Sequence, residues 1–174
     1  MRNHIERDGA EARFREVFSH LGAVTAYARR RGSRDADGLA AEVMTIAWRR
    51  LADVPSDDAR PWLYATARNL LLAERRRAAR TAPVAEPGGQ GVEPQPPGLD
   101  LDLAAALRSL SPVDREALLL IAWEELTPSE AARALGINPT AFRVRLLRAR
   151  RRLRARLDEP QRASHLPHLD VEGT

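Results

Sequence analysis

Residues 138–157 read NPTAFRVRLLRARRRLRARL: eight arginines, no acid, and an Asn-Pro pair at the head. A guanidinium is a planar fork of donors that meets a phosphate, or the edge of a guanine, with two parallel bonds. A helix studded with them is equipped for a polyanion. Counted from Asn138, the residues Phe142, Leu146, Ala149 and Leu153 share one helical face and are expected to pack inward. The opposite arc carries Thr140, Arg143, Val144, Leu147, Arg148 and Arg151. The N-terminal part of such a helix enters a major groove, while arginines further along reach flanking phosphates. Thr140, Arg143, Val144 and Leu147 are therefore assigned to the groove, and Arg148 and Arg151 to the neighbouring backbone. A merely solvated helix would be destabilised by so much unopposed positive charge. A membrane-surface role fits poorly, because packing already claims the apolar face.

Other groupings offer less chemistry. With no cysteine in the chain, disulfides, thiolate nucleophiles and Cys-based zinc sites are excluded. His165 and His168 lie in a polar tail without a further ligand, so no metal site is expected. The pairs Asp57-Asp58 and Glu124-Glu125 are adjacent in sequence and would diverge on a helix, which is wrong for an acid–base dyad. There is no phosphate-cradling glycine loop. The expectation is a non-enzyme without cofactor, and no run is apolar enough for membrane insertion.

All 28 basic residues are arginine and the net charge is +4. The distribution matters more than the sum. Arginines and acids number 10 and 10 over residues 1–59, 6 and 1 over 60–80, 3 and 6 over 101–137, and 8 and 0 over 138–157. Two concentrated basic segments each follow a balanced or acidic one, as binding to a polyanion requires.

The elements that must position these charges are helical throughout, and the fold class expected is all-α. Phe14, Val17, Phe18, Leu21, Val24 and Ala28 recur at helical spacing, with Arg29, Arg30, Arg31 and Gly32 as a stop signal. A second helix is expected over about 35–51, with Leu39, Val43, Ile46 and Ala47 inside and Asp37, Ala41 and Trp48 outside. A third begins near Ala59, with Leu63, Thr66, Ala67 and Leu70 inside and Tyr64, Arg68 and Arg75 on an outer strip beside Asn69 and Arg76. Residues 81–100 contain five prolines and four glycines and read as a flexible linker. Beyond it, Ser111-Pro112, Thr127-Pro128 and Asn138-Pro139 each place a side-chain oxygen at a helix cap and proline in the first turn. Between the last two, small Ala131 and Ala132, a turn at Gly136 and Ile137 as a plug specify a helix-turn-helix. The organisation expected is a helical module over 1–80, a linker over 81–100, a helix-turn-helix module over 101–157 and a disordered tail over 158–174.

Residues 35–51, DADGLAAEVMTIAWRRL, and 59–71, ARPWLYATARNLL, resemble region two of bacterial sigma factors of the extracytoplasmic-function type. LSPVDREALLLIAWEELTPSEAARALGINPTAFRVRLLRARRRL resembles their region four, and the two occur in the family's order. The resemblance implies a cytoplasmic subunit that binds core RNA polymerase and recognises the minus-10 and minus-35 elements of promoter DNA. It implies polymerase contacts at Asp37, Leu39, Glu42 and Trp48. It places the loop from Asp53 to Asp58 near an extruded base, with Arg60, Trp62, Arg68, Asn69, Arg75 and Arg76 on the minus-10 strand. An anti-sigma factor is a further partner it implies. The family commonly has an acid where Gly38 stands and a glutamine where Ala41 stands. From the residues alone, an autonomous helix-turn-helix regulator, an adaptor that no longer touches DNA, and a small nucleic-acid enzyme are the alternatives.

Overall fold

The computed structural model describes residues 2–81 and 100–163, and within them the protein is helical with no strand. Eight α-helices follow in order: α1 (Arg2–Phe18), α2 (Leu21–Arg30), α3 (Ala36–Arg49), α4 (Arg60–Thr81), α5 (Leu101–Ser109), α6 (Pro112–Ala122), α7 (Pro128–Leu135) and α8 (Pro139–Ala163). A single 3-10 turn, Leu51–Asp53, separates α3 from the loop before α4. In the first lobe α3 packs on α1, α2 and α4; in the second, α5, α6 and α7 all lean on α8.

Helix starts are set by local chemistry. The Asp35 carboxylate accepts from the Gly38 N–H at 2.8 Å, and Ser111 caps α6 through the Asp114 N–H. Thr127 and Glu130 form a reciprocal capping box at α7. The Asn138 side chain accepts from the Thr140 N–H at 2.7 Å. Gly136 ends α7 at φ 65°, where a Cβ would be strained. α5, capped by Asp100, adds a helix to those marked in sequence by a residue–proline pair.

Some expectations need correction. The first apolar period is split by a turn at Ser19 and His20, where Ser19 donates back to the Glu16 carbonyl at 2.6 Å. The change of direction leaves Phe18 outside, 47% exposed, with its ring 5.9 Å from that of Phe14. Periodicity is blind to such a break when the spacing continues across it. α8 runs on to Ala163, past residue 158 where the tail is expected to begin, and residues 164–174 lie outside the described residues. The linker lies outside the described residues except at its ends, as do His165 and His168.

The largest correction concerns the relation of the lobes. α7 of the second lobe lies against α4 of the first. Apolar residues buried in each lobe form one continuous cluster, from Val24, Tyr27 and Leu63 to Leu120, Ala131 and Phe142. Tyr64, expected on an outer strip of α4, is only 3% exposed.

Two substitutions test this account. Phe142 is fully buried at the crossing of the helix-turn-helix, so Phe142→Ala should lower unfolding free energy by about 3–5 kcal/mol. Thr127→Ala removes one cap and should cost about 1 kcal/mol. Urea titrations followed by circular dichroism would measure both, and equal losses would contradict the packing described.

Candidate nucleic-acid interface

The recognition face of α8 is built by its buried one. Phe142, Leu146 and Ala149 are buried and Leu153 packs partly against the same cluster. This fixes the rotation of the helix. Thr140, Arg143, Val144, Leu147, Arg148 and Arg151 consequently all face solvent. Leu147 is 59% and Val144 43% exposed, and at i, i+3 spacing the two apolar side chains are neighbours on this arc. Thr140, Val144, Arg145, Arg148 and Arg152 line a shallow depression floored by Ala141 and Asp114. Asp114, buried at the first turn of α6, pairs with Arg152 and anchors one arginine of the series to the lobe.

The second group expected to contact DNA is in a different condition. On α4, Asn69 and Arg76 are exposed, whereas Arg60, Trp62 and Arg68 are half-buried. Arg60 is held by Asp58 through its Nε at 3.1 Å and Nη2 at 3.0 Å. Partial burial pushes the Asp58 carboxyl upward, but the bonds from Arg60 outweigh it and its pKa lies below the ordinary value. The Arg75 guanidinium donates to the Arg31 carbonyl at 2.7 Å. Trp62 has the Arg50 guanidinium 6.0 Å from its ring centre. Glu74 accepts from Ser33 Oγ and the Arg34 N–H, tying the α2–α3 link to α4.

The acids of the loop before α4 are engaged as well. Asp53 pairs with Arg50 at 2.8 Å, Asp58 with Arg60, and Asp57 with Arg133 of α7 at 3.5 Å. The last of these joins the lobes. On α3, Asp37, Glu42 and Trp48 are exposed, Trp48 47% so, with its ring centre 5.0 Å from that of Phe14 and the two rings at 71°. Leu39 departs from the contact that the resemblance implies: at 7% exposure it lies in the core, the side its spacing assigns to it. Two residues rotate a helix by about 200°, which sets residue 39 on the side opposite residue 41, so Leu39 supports that surface from within.

A cluster that sequence reasoning missed lies between the lobes. Arg31 is buried, its guanidinium 3.6 Å from the centre of the Tyr27 ring. Its Nε donates to both oxygens of Glu116, at 3.0 and 2.8 Å, and its Nη1 to Glu124 at 2.8 Å. Arg30 donates to the other Glu124 oxygen at 2.6 Å, and the Tyr27 hydroxyl to Glu116 at 2.9 Å. Burial alone would lower the pKa of Arg31, but Tyr27, Glu116 and Glu124 outweigh it and the net shift is upward. Tyr27 stacks on Tyr64, ring centres 4.9 Å apart. Burial, then the charge of Glu116, pushes the Tyr27 phenol well above its ordinary value. Burial, then Glu124, pushes Tyr64 up to about 12. The only hint in sequence was an acid, Glu124, closing the apolar run LLLIAW.

Two helical lobes, the second ending in a helix-turn-helix with an open arginine face, define a protein of the helix-turn-helix class. Comparison with known proteins narrows this. Residues 17–81 match the family model for sigma-70 region 2, and residues 100–153 that for sigma-70 region 4. The RNA polymerase sigma factor CarQ of Myxococcus xanthus is 30% identical over 163 residues, covering 88% of this chain and 94% of CarQ. Among solved structures, the sigma factor RpoE in complex with the anti-sigma factor NepR from Bartonella quintana is similar at 27% identity and a TM-score of 0.61. That match covers 83% of this chain and 95% of RpoE. CnrH, solved with the cytosolic domain of CnrY, is similar at 26% identity and a TM-score of 0.57, over 84% and 88% of the two chains. The chain belongs to the sigma-70 family of RNA polymerase sigma factors, in its extracytoplasmic-function group.

The chain has two tyrosines, both raised in pKa. An acid whose pKa is raised on folding stabilises the fold below its unfolded pKa and loses that contribution as pH rises toward the folded value. Ultraviolet titration should show no tyrosinate near pH 10, the ordinary phenol value. Ionisation should start toward about 12 for Tyr64, with stability falling above about pH 10. A phenol titrating at its ordinary value in the folded chain would refute the burial of this pair.

Proposed function

We propose that this sigma factor binds core RNA polymerase through its first lobe and reads a promoter with both lobes, without catalysis of its own, in the cytoplasm. Residues 1–80 form the polymerase and minus-10 module, 81–100 the linker, 101–157 the minus-35 module and the residues beyond a tail. Asp37, Glu42 and Trp48 form the polymerase contact with Leu39 beneath them. Arg60, Trp62, Arg68, Asn69, Arg75 and Arg76 take the melted minus-10 strand. Thr140, Arg143, Val144 and Leu147 lie in the minus-35 major groove, with Arg148 and Arg151 on its phosphates. The observation that carries this reading is the fully solvent-facing arc of α8 over a buried Phe142 face, in a chain that has both family regions.

The chemistry supports each assignment. Exposed Val144 and Leu147 suit thymine methyl groups, and arginines suit guanine edges and phosphates. Stacking on Trp62 would hold an unstacked base, worth about 1–3 kcal/mol for a base on an aromatic ring. A relative solved with an anti-sigma factor supports an anti-sigma factor as a partner that would cover apolar surface in the uninduced state.

Transcription from genomic fragments by core polymerase, with and without the chain, is the direct test: transcripts with new start sites are expected only in its presence. Arg143→Glu with Arg148→Glu should lower promoter-dependent transcription at least about tenfold while leaving core association intact. Trp48→Ala should do the reverse and weaken capture of core. A gel shift of duplex DNA that is sequence-specific and indifferent to core would favour an autonomous regulator instead.

A further inference from the structure

Around the axis of α8, at about 100° per residue, Thr140, Val144, Leu147 and Arg151 fall within about 60° of one another. That strip lies nearly opposite the seam of Phe142, Leu146 and Ala149, which is buried in the lobe. It is therefore the line of the helix that projects furthest from the protein, and the one that would enter a groove deepest. Arg143 and Arg148 flank it, one on each side, and both are exposed. The leading edge of a face otherwise built from arginine is thus a pair of open aliphatic side chains. From this placement we infer that Val144 and Leu147 together are a thymine-methyl reader. They select the minus-35 element by the 5-methyl groups of neighbouring thymines, not by hydrogen bonds to base edges. The inference deepens the function proposed above and rests on its placing of α8 in the minus-35 major groove.

The major groove distinguishes its base pairs by hydrogen-bond donors, by acceptors and by one apolar group, the thymine 5-methyl. An aliphatic side chain pressed against a cytosine N4 donor or a guanine O6 strips its water and returns no bond, which is disfavoured. Against a methyl it removes apolar surface from water instead. The spacing of the pair suits two such methyls. An i, i+3 separation is about 4.5 Å along the helix, between one and two base-pair steps of about 3.4 Å. Val144 and Leu147 therefore meet thymines in adjacent or next-adjacent pairs, on either strand. Their surroundings call for nucleic acid over an apolar protein surface. Arg143 lies on one side, and Arg145, Arg148 and Arg152 line the depression on the other. The acid in that depression, Asp114, is already paired with Arg152. An apolar partner would bury guanidinium groups without an anion, whereas DNA supplies phosphates along both walls of the groove. A 5-methylcytosine carries the same methyl as thymine, so the reader accepts it where it rejects cytosine.

Uracil keeps every hydrogen-bonding atom of thymine and lacks only the methyl, so it isolates the contact. A promoter that the full-length chain activates with core polymerase is remade with uracil for thymine across the minus-35 element of both strands. Transcription at limiting holoenzyme should fall about tenfold, at about fourfold per methyl. Measured as the same ratio, the penalty should shrink to about fourfold in Leu147→Ala and to less than about twofold in Val144→Ala with Leu147→Ala. A uracil template transcribed as well as its parent overturns the proposal, and so does an undiminished penalty in the double variant. Loss of transcription in the double variant without any uracil penalty in the parent assigns the pair to a protein contact and overturns it too. Cytosine at the positions that uracil identifies should be at least as harmful, and 5-methylcytosine there should recover at least about twofold; no recovery overturns the methyl reading. Arg143→Glu with Arg148→Glu judges the underlying assignment separately: transcription left intact by that change means that α8 does not read the minus-35 element. If core polymerase gives no new transcripts with the chain, the proposed function fails, and the chain alone, whose α8 strip is open, is put through selection on thymine and uracil versions of one random duplex pool. A preference for neighbouring thymines that vanishes in the uracil pool supports the reader, and identical preferences in the two pools overturn it.

Discussion

The arrangement of this protein depends on what is done with one guanidinium. Arg31 stands at the end of α2, where the chain turns toward α3, and its side chain is withdrawn from water. An isolated cation there would cost several kcal/mol, so its surroundings are constrained. Two carboxylates from the second lobe supply the neutralising charge, a tyrosine ring supplies a face, and the Tyr27 carbonyl takes a longer bond at 3.4 Å. The stacking of Tyr27 on Tyr64, the cover over α4 and the position of α7 all follow from satisfying that charge.

Arginine accordingly plays two separate parts. Several of those of the first lobe are committed: Arg30 and Arg31 to the other lobe, Arg60 to Asp58, Arg75 to a backbone carbonyl, and Arg13 to the Val54 carbonyl. Those along the outer face of α8, Arg143, Arg148 and Arg151, are exposed and have no acid of their own helix beside them. Sequence composition counts both kinds alike. Only the second kind offers a field to a polyanion, which is why the sign of the net charge says less than the address of each residue.

How much could be read in the sequence depended on range. Ser111, Thr127, Asn138 and Gly136 announce helix ends through contacts within three or four residues, and the structure places them in those roles. The inward face of α8 follows from spacing alone. The interlobe cluster could not be read in this way: Arg29, Arg30 and Arg31 have the form of a helix stop, and Glu124 and Glu125 that of an idle acidic pair. Their partners lie some ninety residues away, and no local period encodes such a distance. Tyr64 was misplaced because packing between lobes has no local period, whereas the spacing put Leu39 inside correctly and only the family likeness, which specifies a helix without specifying its side, turned it outward.

Gly38 stands where the family that the sequence resembles commonly has an acid. Yet a Cβ built on Gly38 would collide with the Asp35 carboxylate, which caps the helix by accepting from the Gly38 N–H. Any side chain restored at position 38 would push the Asp35 carboxylate off the Gly38 N–H, so an acid added there would come at the expense of the cap that starts α3.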